Sequence, residues 1–141
     1  MLKIRNAELT DWSVWSKCDP HLTIEQFRSK VAARKAFVFY DGHKLVGVFR
    51  YNMFWDHIPF VTLLYLCEDE RDKGYGHEIM ERWEVMMRSR GYTQLMVSTP
   101  VNETAQHFFR QLGYRDCGCL LLEEPGREGE SQMELFLQKS I

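Results

Sequence analysis

The sequence has little net charge, no long apolar run and no targeting segment, and each absence excludes a class of protein. The formal net charge is only -2 over 141 residues, which argues against an extended nucleic-acid-binding surface. No apolar run approaches the roughly 20 residues of a transmembrane helix. The residues from Met1 to Arg5 lead directly into patterned sequence, with no signal peptide. We therefore expect a soluble, cytoplasmic protein with neither a membrane nor a nucleic acid as partner.

Cysteines are few and are not arranged for metal binding. Their spacing contains no C-x-x-C pair, so neither a zinc site nor a redox pair is predicted. Cys117 and Cys119 lie two residues apart on a predicted strand and are therefore expected on the same face. We expect no metal site and four free, mostly buried thiols that behave as small apolar side chains. The four positions are Cys18, Cys67, Cys117 and Cys119.

Nucleotide-binding motifs, internal repeats, linkers and low-complexity segments are also missing. The sequence contains no G-x-x-x-x-G-K-[ST], and Ile79 stands where a dinucleotide fingerprint has its third glycine. A nucleotide-binding fold therefore fits poorly. Hydrophobic residues make up 45% and aromatic residues 13% of the chain, which is typical of a globular protein. At this length we expect one domain spanning residues 1–141.

The most informative stretch is Phe60 to Arg90, where a strand, a charged loop and a long helix follow one another. Phe60–Leu66 is an apolar run of the length and composition of a strand buried on both faces. A charged, solvated loop follows, and Gly91 lies where a left-handed residue ends a helix. The helix between them has an apolar stripe formed by Tyr75, Ile79, Met80, Trp83, Met86 and Met87.

The turn before this helix carries the spacing R-x-x-G-x-G in Arg71, Gly74 and Gly76. The first amides of a helix lack intrahelical acceptors and carry partial positive charge, so they favour an anion. Glycines let a pyrophosphate approach the backbone, and the side chains of Arg71 and Lys73 add cationic donors. The alternative is that the glycines only make a tight turn. The placement between strand and helix favours an anion site.

The remaining elements follow from periodicity and turn residues. Thr23 and Gln26 are spaced as a capping box, Asp41 and Gly42 are expected as a hairpin turn, and Asn102 is expected to cap a helix. Trp55 to Pro59 is expected to link two strands. The aromatic cluster Tyr51, Phe54 and Trp55 fits either a core or a substrate pocket, and core is the more common outcome. The predicted order is β, α, α, β, β, β, α, β, α, β, β.

This order, with R-x-x-G-x-G opening the helix after the central strand, resembles the GNAT superfamily of acyl-CoA-dependent N-acetyltransferases over nearly the whole chain. A second segment is similar to the family signature N-x-x-A-x-x-L-Y-x-x-x-G-F. The resemblance implies an α/β fold with a central mixed, mostly antiparallel sheet of six to seven strands and about four helices. The matching residues of the second segment are Asn102, Ala105, Phe108, Phe109, Leu112, Gly113 and Tyr114.

The resemblance also implies acetyl-CoA as the acyl donor and assigns residues to it. The backbone of Leu66 and Cys67 would pair with the pantetheine arm, and Asn102 and Phe109 would lie along that arm. A strand amide near Leu66 would polarise the thioester carbonyl during direct attack by the acceptor amine. The pyrophosphate would bind the amides of Arg71, Asp72, Lys73, Gly74, Tyr75 and Gly76.

The catalytic acid and base are less evident. The family signature often has tyrosine where this chain has Phe109, which cannot protonate the departing thiolate, so Tyr65 or a water would have to substitute. Some relatives use a glutamate within the central strand, but Phe60, Val61 and Thr62 offer no carboxylate. The candidate bases are Glu68 and His57, which could act through water; for each of them, a solvated or structural role is the more common outcome.

The predicted function is acetyl transfer to a primary amine of a small molecule, peptide or protein. The alternative is a non-catalytic acyl-CoA sensor on the same fold, which would bind the cofactor without turnover. Edge strands leave a homodimer open, and the donor could carry a longer acyl chain. Acidic segments could attract a cationic acceptor, although charged loops usually only face solvent; these are Glu68–Glu70 and the residues Glu123, Glu124, Glu128 and Glu130.

Overall fold

The structure is a computed structural model, and it describes residues 1–129 and 132–141. The chain forms two compact units. The first contains Met1–Asn52 and Val61–Trp83, and the second contains Met53–Phe60 and Glu84–Ile141. Within the described residues, no helix is both long enough and apolar enough to cross a membrane.

The described residues form seven strands and four α-helices, as expected. The strands form one mixed sheet in the order β1-β2-β3-β4-β5-β7-β6. The helices are α1 (Trp12–Cys18), α2 (Ile24–Ala32), α3 (Tyr75–Ser89) and α4 (Ala105–Gln111), with short 3₁₀ turns at Leu9–Asp11 and Glu68–Glu70. The strands are β1 (Leu2–Asn6), β2 (Ala36–Asp41), β3 (Lys44–Phe54), β4 (Ile58–Leu66), β5 (Gln94–Pro100), β6 (Arg115–Leu122) and β7 (Gln132–Ser140).

The first unit is built on the antiparallel pairs β1–β2 and β2–β3. Trp15 and Phe27, from α1 and α2, are fully buried against Val38 and Val48 of the sheet. The expected capping box is confirmed, because Gln26 N donates to Thr23 Oγ1 and the Gln26 side chain accepts from Thr23 N. This core fixes α2 over β2 and β3.

A second aromatic group in the first unit holds α3. Trp83 lies 5.4 Å from Phe49 and 5.7 Å from Tyr51, and Tyr51 stacks on Phe37. Tyr51 is 2% exposed, so the core interpretation is correct for this residue. Trp55, also predicted in that aromatic cluster, belongs to the second unit and is 75% exposed.

Two predicted turns are displaced from their expected positions. Asp41 still pairs with Lys44, so the first hairpin turns at Gly42 and His43 instead of Asp41 and Gly42. The link before β4 has only three residues, because Ile58 and Pro59 already belong to the strand.

That link is tight because two of its residues are left-handed. Trp55 has φ 51° and Asp56 has φ 66°, and His57 N donates to Phe54 O at 3.2 Å. This is the geometry of a two-residue hairpin turn, which side chains other than glycine adopt at some energetic cost. Neither residue is a glycine, so the sequence did not predict a link this short.

The second unit contains the antiparallel pairs β5–β7 and β6–β7. Leu95, Val97 and Leu137 are fully buried in it, whereas every residue of β6 is exposed. A register shift between Asp116 and Gly118 places Cys117 in a bulge, which disrupts the alternation that predicted Cys117 and Cys119 on one face.

The thiols are free but less buried than expected. Cys117 and Cys119 are exposed on β6, and Cys18 and Cys67 are partly buried. The prediction of mostly buried thiols was therefore wrong, because β6 is an edge strand with neither face covered.

Candidate cofactor site

The turn between β4 and α3 has the geometry that its glycine spacing predicts. Gly74 has φ 85°, and a β-carbon built there would meet no atom within 4 Å. Asp72 is also left-handed, with φ 61°. Tyr75 then begins a helix of 15 residues. The chain reverses sharply here, and the backbone at Gly74 is open to a ligand.

The first turn of α3 presents amides that the helix cannot use. Glu78 N donates to Gly74 O at 3.2 Å, which places the first helical hydrogen bond there. The amides ahead of Glu78 in the first turn have no acceptor four residues earlier within the helix. Gly76 is buried in that turn, whereas the exposed Gly74 carries no side chain that would hinder an approaching anion. The turn therefore fits an anionic group such as a pyrophosphate.

The two predicted cationic donors are both partly engaged within the chain. Arg71 Nε donates to Leu66 O at 3.0 Å, and its guanidinium carbon lies 5.5 Å from the centre of the Tyr65 ring. Lys73 Nζ donates to Glu70 Oε2 at 3.4 Å. Both side chains stay largely exposed, so they can still contribute positive charge to the turn.

The acidic run beside this turn is not simply solvated surface. Glu70 is only 3% exposed, and its carboxylate forms ion pairs with Lys44 and Lys73. The hydrogen bond from Lys44 holds the pKa of Glu70 below its usual value. The expectation of a solvated loop is therefore wrong for Glu70, which ties the β2–β3 hairpin to the turn. Glu68 and Asp69 are exposed, as expected.

Leu66 ends β4 and Cys67 follows it, and both are partly buried, whereas the strand was predicted to be buried on both faces. Cys67 N donates to Val46 O at 2.8 Å, and Cys67 O accepts from Glu70 N at 2.8 Å. The Cys67 amide is thus already used within the chain, but each carbonyl keeps a second lone pair for another donor. Pantetheine amides could use these carbonyls without displacing a hydrogen bond.

Gly47 explains why β3 and β4 can approach so closely at this point. A β-carbon at position 47 would collide with the carbonyl oxygen of Tyr65 and press on the Leu66 side chain. Gly47 was not among the residues predicted from the sequence to form the site. An isolated glycine within a strand pattern was the available signal, because it often marks close backbone approach.

The three candidate catalytic side chains do not all lie in one unit. Glu68 is exposed at the start of the 3₁₀ turn, and Tyr65 is partly buried on β4, both in the first unit. His57 belongs to the second unit, is exposed, and has its ring Nδ1 2.8 Å from Trp55 O. Each candidate stays a prediction.

Asn102 and Phe109 both lie in the second unit. Asn102 is exposed, and α4 begins at Ala105 with Thr104 in the capping position. The predicted cap at Asn102 is therefore wrong. Phe109 is 7% exposed and packs edge-on against Phe108 at 5.2 Å, with Tyr114 at 6.0 Å.

Other ionisable groups have simpler surroundings. His77 Nε2 lies 3.0 Å from Glu81 Oε1 on the exposed surface of α3. Of the acidic segment near the β6–β7 turn, Glu123, Glu124 and Glu128 are exposed, and Glu130 lies outside the described residues. In residues 1–129 and 132–141, no group of three or more His, Cys, Asp or Glu side chains is placed to hold a metal ion.

Comparison with known protein structures gives the same fold. The ribosomal-protein-S18-alanine N-acetyltransferase from Escherichia coli is 17% identical, with a TM-score of 0.82 over 100% of this chain and 94% of that chain. A ribosomal-protein-alanine N-acetyltransferase from Brucella melitensis is 18% identical, with a TM-score of 0.81 over 99% of both chains. A GNAT acetyltransferase from Elizabethkingia anophelis with bound acetyl-CoA is 12% identical, with a TM-score of 0.75 over 99% of this chain and 98% of that chain.

Comparison with curated protein sequences gives no match. Nothing found supports the non-catalytic sensor that the sequence left as an alternative. The family model of the acetyltransferase (GNAT) family matches residues 1–114, which include the β4–α3 turn and the segment with Asn102 and Phe109. The chain therefore belongs to the GNAT family of acetyltransferases, and its activity is acyl-CoA-dependent N-acetyl transfer.

Proposed function

We propose that the enzyme holds the pyrophosphate of acetyl-CoA at the turn from Arg71 to Gly76 and acetylates a primary amine. The observation that supports this most directly is Gly74, whose left-handed backbone and open β-carbon position precede a 15-residue helix. The amides of this turn would bind the phosphate oxygens, and Arg71 and Lys73 would add charge.

The end of β4 is proposed to hold the pantetheine arm. The carbonyls of Leu66 and Cys67 have lone pairs for its amides, and an amide near Leu66 would polarise the carbonyl to be attacked. Asn102 and Phe109 keep the roles along the arm that the family resemblance implies. These assignments are consistent with the partial exposure of β4 from Thr62 to Leu66.

Acetyl-CoA supplies a thioester carbonyl that a neutral amine can attack. Direct transfer is favoured over an acyl-cysteine route by the state of the thiols. Burial raises the pKa of Cys67, and burial likewise raises the pKa of Cys18. A protonated thiol is a poor nucleophile, so these cysteines are not prepared to accept the acetyl group at neutral pH.

For proton transfer we keep the three candidates that the sequence offered. Tyr65 is proposed as the acid, because it immediately precedes Leu66 and Phe109 has no hydroxyl group. Glu68 and His57 are proposed as alternative bases, each exposed and able to act through water. Removing a true general acid or base lowers the rate by about 10²- to 10⁴-fold, which the variants Tyr65→Phe, Glu68→Gln and His57→Asn would measure.

The proposed reaction is tested by thiol release from acetyl-CoA with a panel of primary amines. Amine-dependent release of free CoA, with acetylated product detected by mass spectrometry, would support it. Acetyl-CoA that neither stabilises the protein against heat nor loses its acetyl group with any amine would contradict it. Propionyl-CoA and longer donors in the same assay would define the acyl chain.

We further propose that residues 1–141 act as a single catalytic domain in the cytoplasm. The family match runs through both compact units, and four unpaired cysteines are typical of a reducing compartment. The homodimer stays a prediction. The exposed edge strand β6 supports it, with Leu121 61% exposed, and sedimentation velocity would measure it.

A further inference from the structure

The first unit contains a cavity that the sequence did not indicate. Its volume is about 440 Å³, within the range of small-molecule sites. The walls come from the loop before α2, α2 itself, the turn after it, β3 and β4. Ten residues line the cavity, among them Lys30, Lys35, Arg50 and Thr62.

The cavity is positively charged. Lys30, Lys35 and Arg50 reach it from three different elements, and none of the ten lining residues is acidic. The nearest countercharge is Asp19, which lies behind Arg50 and is 1% exposed. Asp19 balances one of the three positive charges, so the lining keeps an excess of positive charge.

Each of the three cationic groups has donors left for a ligand. Arg50 uses Nε and Nη2 on Asp19, at 2.7 and 3.2 Å, which leaves Nη1. Lys30 Nζ gives one hydrogen bond to Tyr51 O at 2.8 Å and has two more protons. Across the described part of the chain, the Lys35 ammonium shows no carboxylate within ion-pair distance.

The arrangement is also held in place independently of any ligand. Lys35 N donates to Lys30 O at 3.0 Å, and Lys35 O accepts from Tyr51 N at 3.1 Å. Thr62 Oγ1 donates to Arg50 O at 3.2 Å. Backbone hydrogen bonds thus fix the main chain of Lys35, and the hydrogen bonds to Asp19 orient the Arg50 guanidinium before a ligand arrives.

The geometry points to this cavity as the binding site for an oxyanion, a carboxylate or a phosphate, carried by the acceptor amine. Lysine and arginine donors around a concave site are the groups that bind such anions. This inference rests on the proposed function, because it names the acceptor class for the same reaction.

The position along β4 sets the length of that acceptor. Thr62 lines the cavity, and Leu66, proposed to hold the cofactor arm, lies four residues further along the same strand. Four residues of a strand span roughly 13 Å. The amine and the anionic group should therefore lie several bonds apart, as in a short peptide with a free carboxyl terminus.

The test uses probe pairs that differ only in charge. Triglycine and triglycinamide report on a carboxylate, and 6-aminohexyl phosphate and 6-aminohexanol report on a phosphate at a similar distance from the amine. Binding to the full chain is measured by thermal shift and calorimetry at constant ionic strength, with and without saturating CoA. We compare wild type, Lys35→Met and the control Lys3→Met, which removes a charge from an exposed lysine on β1.

We expect at least one anionic probe to bind wild type and Lys3→Met about tenfold more tightly than its neutral partner. Lys35→Met should reduce that preference several-fold. Equal binding of charged and neutral probes to wild type, or an unchanged preference in Lys35→Met, would overturn the inference. Should Lys35→Met fail to fold, Lys30→Met takes its place.

The two proposals fail in different ways. Stabilisation by acetyl-CoA and release of its thiol report on the proposed function, whereas anion preference reports on the cavity alone. Comparing the triglycine pair with the 6-aminohexyl phosphate pair identifies the anion, and oligoglycines of increasing length give the distance between amine and carboxylate.

Discussion

The carbonyl oxygen of Tyr65 occupies the space where a side chain on Gly47 would begin. β3 can approach the end of β4 this closely only because position 47 has no β-carbon. Beside this contact, Cys67 N donates to Val46 O at 2.8 Å. Gly47 therefore allows β3 to lie close to the end of β4, where the pantetheine arm is proposed to bind.

We predict that Gly47→Ala destabilises the protein by about 1–3 kcal/mol, the usual cost of overpacking a close contact. The affinity for acetyl-CoA should fall as well, because the end of β4 must move. Urea unfolding gives the free energy, and calorimetry gives the affinity. Gly118→Ala on β6 is the control, since a β-carbon there meets no atom within 4 Å. Equal stability of the two variants would contradict the close-approach argument.

A second prediction separates charge from shape at the pyrophosphate turn. Asn and Asp tolerate left-handed backbone better than most residues, and the position next to Gly74 is open. Gly74→Asn and Gly74→Asp should therefore fold with similar stability. Only the aspartate places a negative charge where phosphate is proposed to bind.

For wild type, acetyl-CoA at about one hundred times its dissociation constant should add roughly 2.7 kcal/mol of stability. We expect Gly74→Asn to keep much of this stabilisation and Gly74→Asp to lose most of it. Thermal unfolding with and without acetyl-CoA measures both. If the two variants respond identically, the pyrophosphate does not bind at this turn.

The sequence predicted the β4–α3 turn well because all of its signals are local. Strand composition, the R-x-x-G-x-G spacing and the apolar stripe lie within about thirty residues, and the left-handed Gly74 and Gly91 confirm them. The element order was correct for the same reason. The pattern that predicts each helix or strand lies within the residues of that element.

What the sequence could not predict depends on partners far along the chain. Glu70 was expected to be solvated. It is buried in an ion pair with Lys44, which is distant in the sequence. The cationic cavity combines Lys30, Lys35 and Arg50 from α2, a turn and β3, with no shared motif. Charge pairing between residues that are distant in sequence leaves no local pattern to read.

A third prediction concerns a buried carboxylate in the second unit. Glu84 is 5% exposed and accepts hydrogen bonds from Tyr114 Oη at 2.8 Å and Lys139 Nζ at 2.7 Å. Lys139→Met would leave its charge without a cation, which should destabilise the protein by about 1–3 kcal/mol.

Chemical unfolding of Lys139→Met and of a surface control would check this. Arg110→Met removes one partner of an exposed ion pair with Asp116, a type worth about 0–1 kcal/mol. The Lys139 variant should lose clearly more stability than the Arg110 variant. If Arg110→Met lost more stability than Lys139→Met, the ion pair between Lys139 and Glu84 would contribute little to the free energy of unfolding.

The last prediction follows from the state of Lys30. The pKa of Lys30 is lowered from 10.5 to about 8, chiefly by burial and also by the charges of Arg50 and Lys35, which Asp19 partly opposes. Between pH 8 and 10.5 the unfolded chain holds the Lys30 proton while the folded chain has lost it. The free energy of unfolding contributed by this group therefore rises with pH across that window and is constant below it.

Lys30→Met should remove this contribution. Because other groups titrate in the same range, the quantity to measure is the difference in unfolding free energy between wild type and Lys30→Met, from about pH 7 to pH 10. We expect the difference to be flat near pH 7 and to move in favour of wild type above pH 8, whereas the Lys3→Met control shows no such rise. Parallel curves would mean that Lys30 keeps an ordinary pKa. An oxyanion bound in the cavity should raise the pKa of Lys30 and shift the onset of the rise to higher pH.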